Sequence, residues 1–396
     1  MSRSAFLWGA AVSAHQTEGE NQNSDWWRFE RDVLQKRGGD ASGRADDHWT
    51  RYKEDIDLLA DAGLNAFRFS IEWAKVEPKE GEYDKRALDH YADVLKHLKK
   101  RNIASCVTLW HFTLPAWAAD KGGMLNRSVR RRFYLYADAC AERFGKDVDI
   151  WTTINEPMVY LMEGYHWGTW PPRLRSAWKQ FRVFFALRMI HRRCYVTLKR
   201  RGARSAGMAK SIIVFECADR ANAMHRIVRA WKNFFWNRAF FLCAERFHDY
   251  VGVNFYITET VGPKDGTHEK DDMGWEIRPH GLEAAVREAG KVGKPIYVLE
   301  NGIATRDDAK RIAYIESRVR GIERAKKEGI DLRGYFHWSL LDNFEWTHGY
   351  SKRFGLVAVD RKTMERNPKP SLRAYAGMIK RDYGRFVKGS KDSICF

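Results

Sequence analysis

The sequence predicts an α/β protein folded as a single (β/α)8 barrel over residues 1–396. Eight short apolar runs recur along the chain, and amphipathic stretches lie between them. Polar and aromatic residues gather just after seven of the eight runs. In a barrel of this kind the active site lies where the parallel strands end, so such clusters are expected there. No Pro/Ser-rich joint or low-complexity tract divides the chain, and 396 residues suit one large barrel.

The first run, 6–12, is followed by His15, Gln16 and Glu18. Residues 1–14 have the outline of a short signal peptide, yet their basic region is one arginine and their apolar run is barely long enough. A first barrel strand is the better reading. A helix over 47–63, ended by Gly63, leads to run 65–71, which holds Arg68 and exits into Glu72 and Trp73. The helix over 85–101 sets Leu88, Tyr91, Ala92, Leu95 and Leu98 on one face. Run 104–110 ends in Trp110 and His111, and run 149–155 ends in Asn155 and Glu156. Run 205–214 has no comparable cluster. Run 250–256 contains Asn254 and Tyr256; run 295–300 ends in Glu300, with Asn301-Gly302 turning the chain. The last run, 332–340, carries Trp338 and leads to Asp342, Glu345 and Trp346.

A carboxylate at the exit of a buried strand is costly unless it is paired or used. Glu156 and Glu300 both occupy such exits, which reads as one site built from two strand ends, with Glu300 as nucleophile and Glu156 as acid/base. Two carboxylates across a sugar cleft are what glycosidic cleavage requires, one to attack the anomeric carbon and one to protonate the leaving oxygen. Arg68, if it points into the barrel, would keep Glu300 ionised through a charge-assisted hydrogen bond. Glu156 has no cationic neighbour in sequence, which suits a raised pKa. Asn155, Gln16, His111 and Glu345 offer donors and acceptors for hydroxyls, and Trp338 and Trp346 offer stacking faces. Singly, each has a plainer reading as a surface ion pair, a core histidine or a packed indole. Their convergence on strand ends favours a site.

These motifs resemble glycoside hydrolase family 1, the β-glucosidase and β-glycosidase family. The resemblance rests on Phe6-Leu-Trp-Gly-Ala-Ala-Val-Ser-Ala-His-Gln-Thr-Glu-Gly19, Phe67-Arg-Phe-Ser-Ile-Glu-Trp73, Thr108-Leu-Trp-His111 and Thr153-Ile-Asn-Glu-Pro157. It continues through Gly252-Val-Asn-Phe-Tyr256, Leu299-Glu-Asn-Gly302, Trp338-Ser-Leu-Leu-Asp-Asn-Phe-Glu-Trp346, Arg353-Phe-Gly-Leu356 and Asp360, in the family's order. The segment Asn21-Gln-Asn-Ser-Asp-Trp-Trp27 is most similar to archaeal-type members. The resemblance implies a retaining, exo-acting β-glycosidase working on small β-glucosides or β-galactosides through a covalent glycosyl-enzyme, with carboxyl groups about 5–5.5 Å apart. It implies Glu300 as nucleophile, Glu156 as acid/base, and Arg68, Asn254 and Tyr256 as residues orienting the nucleophile. Gln16, His111, Asn155 and Glu345, with Trp338 and Trp346, become the sugar ligands, and neither a metal nor an organic cofactor is needed. Transglycosylation and a catalytically silent carbohydrate binder are the alternatives. The sequence also departs from the family: Phe112 stands where members commonly have Trp, and 173–246 and 257–294 look shortened, on the side that usually walls the leaving group. Glu345 would repel a phosphate, which disfavours 6-phosphorylated sugars despite Lys352.

Lys and Arg number 69 against 51 Asp and Glu, giving a net charge of +18. A nucleic-acid role rests on that charge alone and is discounted. Residues 173–204 hold eleven Lys/Arg and no acid, interleaved with Trp178, Phe181, Phe184 and Phe185, and more aromatics follow from Trp231 to Phe241. The plain reading is barrel helices whose rings pack on the sheet while the arginines face water. The other is a peripheral contact of region 173–241 with a membrane or a lipid-linked glycoside. The six cysteines are scattered without paired spacing, which suits reduced thiols and a cytoplasmic location. No run of 18 apolar residues exists.

Overall fold

The computed structural model describes residues 6–391 apart from positions 243 and 265. Eight parallel strands close into a barrel in chain order: β1 Leu7–Ala11, β2 Ala66–Ser70, β3 Ala104–Thr108, β4 Ile150–Asn155, β5 Ser205–Cys217, β6 Tyr250–Val261, β7 Ile296–Asn301 and β8 Leu332–Trp338. The last strand pairs with the first from Leu7 opposite Gly334 to Ala11 opposite Trp338, which closes the ring. All eight expected runs form strands. Two run longer than expected, because β5 and β6 keep pairing after an irregularity between Ile212 and Val214, as far as Cys217 opposite Val261. They leave the barrel together as a short two-stranded ribbon.

The barrel interior is filled by one or two residues from each strand. Ala11, Ala66, Cys106, Ile150, Ala209, Tyr250, Leu299 and Phe336 form a buried cluster in which small and large side chains complement one another. A larger apolar layer lies between the sheet and its helices. Helices His48–Asp61, Lys85–Lys100, Arg127–Phe144, Ala177–Arg200, Ala223–Asn233, Gly281–Gly290, Asp308–Lys327 and Pro370–Lys391 cover the outside. In the second of these Tyr91, Leu95 and Leu98 are buried as the spacing predicts, and the Asp84 carboxylate caps the first turn by accepting from the Arg86 and Ala87 amides. The first helix stops before Gly63, which adopts φ +82°.

The basic middle of the chain departs from the plain expectation. Helix Ala177–Arg200 buries Val183, Leu187, Ile190, Cys194 and Leu198, but Trp178, Phe181 and Phe185 face outward. Helix Ala223–Asn233 buries none of its residues. Among the described residues no helix is long and apolar enough to cross a membrane. Cys106, Cys140, Cys194 and Cys217 are free thiols, while Cys243 and Cys395 lie outside the described residues.

Candidate active site

The strand exits surround a cavity of about 1000 Å³. Its inner end is made of buried polar groups from β1, β3, β4, β6, β7 and β8. Its outer end is flanked by exposed rings of Trp167, Trp231 and Phe235.

Glu300 stands at the exit of β7. Arg68, projecting inward from β2 and only 1% exposed, forms an ion pair with Glu300 Oε1. The same guanidinium donates to Asn155 Oδ1 at 2.7 Å and to the Leu299 carbonyl at 3.3 Å, so one rigid fork fixes the ends of β4 and β7 together. The Tyr256 hydroxyl donates to Glu300 Oε2 at 2.9 Å, and Asn254 Nδ2 donates to Asn155 Oδ1 at 3.1 Å. The turn that follows Glu300 requires glycine, since a Cβ on Gly302 would collide with the Trp338 carbonyl oxygen.

Glu156 follows β4 in a left-handed conformation, φ +43°, and its amide donates to the Ala209 carbonyl at 2.9 Å. Pro157 then opens the short helix Pro157–Leu161. Burial, and then the Glu300 carboxylate, push the Glu156 pKa up to about 8, while Asn254, Arg68 and Lys210 pull it down. Its Oε1 is buried without a protein hydrogen-bond partner. Phe112 and Trp346, at φ +76° and +48°, line the same cavity. Three strained non-glycine backbones in one cavity mark a place held against its local preference.

The remaining expected residues meet at the inner end. Gln16 Nε2 donates to the Phe344 carbonyl at 2.9 Å, to Asn343 Oδ1 at 3.2 Å and to Glu345 Oε2 at 3.3 Å. Burial first, and Glu300 second, push Glu345 up to about 8. The His111 ring lies nearly parallel to Trp338 and Trp346, with centroids 6.0 and 6.1 Å away. Burial, then the charges of Arg68 and His15, hold His111 well below the usual histidine range, so the ring is neutral. Because Asn155 Oδ1 accepts from Arg68 and Asn254, its amide nitrogen is the group 3.2 Å from His111 Nε2 and donates to it. That leaves Nδ1–H as the ring's donor.

All eleven residues given a site role from sequence therefore belong to one connected site: nine line the cavity, and Arg68 and Asn254 stand behind Glu300 and Asn155. The family model of glycosyl hydrolase family 1 matches residues 2–251 and 257–383. The chain belongs to glycosyl hydrolase family 1. As a family 1 member it is a glycoside hydrolase that cleaves β-glycosidic bonds. It is 32% identical to Beta-glucosidase A of Thermotoga maritima over 433 aligned residues, covering 95% of this chain and 97% of that one. It is 28% identical to a β-galactosidase of Pyrococcus woesei, covering 92% and 94%. A solved β-glycosidase from Pyrococcus horikoshii superposes with a TM-score of 0.88 at 35% identity, covering 95% and 96%. The 433 aligned positions exceed the 396 residues of this chain, so the Thermotoga enzyme carries insertions relative to it.

One feature of this family 1 site escapes sequence reading. Strand β5, whose run is followed by no polar cluster, carries Lys210 within the strand with its side chain fully buried. Its ammonium donates to the Ser211 carbonyl at 2.8 Å and lies over the Trp236 ring at 5.4 Å. Burial lowers its pKa to about 7, and the charge of Glu156 raises it. Glu156 thus has a cationic neighbour in space though none in sequence, because β4 and β5 pair with Asn155 opposite Ala209. The available signal was a lysine inside an otherwise apolar run.

Proposed function

We propose that the chain is a retaining, exo-acting β-glycosidase whose single barrel is the whole catalytic unit, with Glu300 as nucleophile and Glu156 as acid/base. The observation that carries this reading is the contrast between the two carboxyls in one cavity. Glu300 is bound to Arg68 and Tyr256, whereas Glu156 is pushed up to about 8 and so holds a proton at neutral pH. In the first step Glu300 attacks the anomeric carbon while Glu156 gives its proton to the departing glycosidic oxygen. In the second, Glu156 takes a proton from water, the water oxygen attacks the anomeric carbon, and the bond to Glu300 breaks. The carboxyls and water suffice, so no cofactor is required.

Gln16, His111, Asn155 and Glu345 gather at the inner end and suit recognition of one terminal sugar, with Trp338 and Trp346 as apolar faces beside it. Arg68, Asn254 and Tyr256 are positioning residues for the nucleophile. β-Glucosides and β-galactosides are the proposed substrates, supported by the names of the Thermotoga and Pyrococcus woesei relatives. With its pKa pushed up to about 8, Glu345 holds a proton at neutral pH, so the charge repulsion expected against a 6-phosphate is largely lost. The free thiols support a reducing compartment such as the cytoplasm.

The test is hydrolysis of a panel of aryl β-glycosides by wild type and by Glu300→Gln. Wild-type turnover of the glucoside or galactoside, lost in the variant, supports the reading. Undiminished turnover by Glu300→Gln removes Glu300 from the mechanism.

A further inference from the structure

We propose that the face formed by helices Ala177–Arg200 and Ala223–Asn233 docks the protein on an anionic lipid bilayer, with the mouth of the cavity turned toward the membrane surface. The first observation is an apolar stripe that covers nothing. Trp178, Phe181, Phe185 and Met189 recur at helical spacing along the outer side of the first helix, and Trp178 and Phe181 are 66% and 54% exposed. Met224, Ile227 and Trp231 repeat the pattern on the second, where Ile227 and Trp231 are 63% and 61% exposed, and Phe234 and Phe235 extend it. The second helix has an apolar side yet buries no residue. An amphipathic helix that turns its apolar side outward lacks the partner its pattern calls for.

The second observation is charge. Residues 173–241 hold seventeen lysines and arginines against only Glu216 and Asp219, so this stretch accounts for fifteen of the eighteen net positive charges. Lys179, Arg182, Arg226 and Arg229 are exposed between the apolar residues. Rings and aliphatic tips flanked by long basic side chains match the boundary of an anionic bilayer, where the rings enter the headgroup region and the cations meet phosphates. The same charge opposes a second copy of this chain on the face. Nucleic acid is a poorer fit, since Met189, Met224 and Ile227 offer no stacking surface for bases.

The third observation is continuity with the cavity. Gln180 of the first helix, Trp231 of the second and Phe235 just after it line the outer end. A β-glycoside held in the bilayer by an apolar aglycone would reach the carboxyls from that side. This last step rests on the hydrolase mechanism proposed above; the docking itself does not.

Flotation of the full chain with vesicles tests the docking. At low salt the chain is expected to float with phosphatidylcholine vesicles containing phosphatidylglycerol, much less with phosphatidylcholine alone, and less again at high salt. Trp178→Ser/Phe181→Ser/Phe185→Ser and Met224→Ser/Ile227→Ser should each lower partitioning by about tenfold or more. Both should keep wild-type hydrolysis of a water-soluble aryl β-glucoside, since none of the five residues lines the cavity. Absence of flotation with the anionic vesicles at low salt overturns the proposal, as does undiminished flotation of both variants. A wild-type dimer that these substitutions dissociate would show that a second copy covers the face, and binding of single-stranded RNA without vesicles would show a different partner. Failure to hydrolyse the soluble glucoside would count against the mechanism and leave the flotation result standing.

Discussion

Lys210 acts on Glu156 through space: their strands are joined by the bond from the Glu156 amide to the Ala209 carbonyl, while the Lys210 ammonium donates elsewhere, to Ser211. A buried cation one residue beyond a backbone hydrogen bond to Glu156 loosens the hold of that carboxyl on its proton. Replacing it removes charge without removing a direct ligand.

Lys210→Met should therefore raise the Glu156 pKa, because the cation favours the ionised carboxylate. The alkaline limb of kcat/KM should move to higher pH by no more than a few tenths of a unit, because a lysine whose pKa burial lowers to about 7 is only partly charged there. A pH–rate profile checks this, and a limb that moves downward or stays fixed denies Lys210 the role.

Glu156→Gln should depend on the leaving group. An aryl glycoside whose phenol departs without a proton should keep its glycosylation step, whereas an alkyl glycoside should lose about 10²–10⁴-fold in kcat/KM. Comparing the two substrate classes checks the assignment. Equal losses on both would place Glu156 outside proton transfer.

Arg68→Lys should fail to replace arginine. A single ammonium cannot hold Glu300 and Asn155 at once in the geometry of the fork. Arg68→Met should cost roughly 3–5 kcal/mol of stability at neutral pH, since it leaves a buried carboxylate without its cation. Denaturant unfolding and kcat measured together check both variants, and a fully active Arg68→Lys would refute the bridging role.

Glu345 makes the fold sensitive to alkali. Its folded pKa of about 8 lies above the ordinary 4.5, so the folded state binds the extra proton between those values. Stability from this group is whole below about pH 4.5 and is lost as pH rises toward 8. Glu345→Gln should therefore stabilise the protein by roughly 1–3 kcal/mol at pH 8 and by nothing near pH 4.5. Melting temperatures across that range check the sign.

The barrel and most of its site are legible in the sequence because parallel strands announce their ends. An apolar run that terminates in Glu156 or Glu300 breaks its own pattern at the place where the fold puts chemistry. Lys210 is not legible in this way, because it sits within its run, and only the pairing of β5 with β4 brings it to Glu156. The ribbon beyond residue 214 is equally hidden, since its continuation depends on β5 and β6 pairing with each other rather than on either run alone. For Trp178 and Ile227 the spacing reveals a stripe but carries no sign saying which way it faces.

The barrel closes between its first and last strands, and the inner end of the cavity straddles that seam. Gln16 and Glu345 meet across 329 residues of chain. Glu156 and its strand are made early in synthesis, yet the cavity is not closed until the eighth strand finds the first. Contacts so distant along the chain are among the slowest to form. The contact between Gln16 and Glu345 therefore arrives only with completion of the ring, and a chain interrupted before β8 carries Glu156 and Glu300 without Trp338, Glu345 and Trp346.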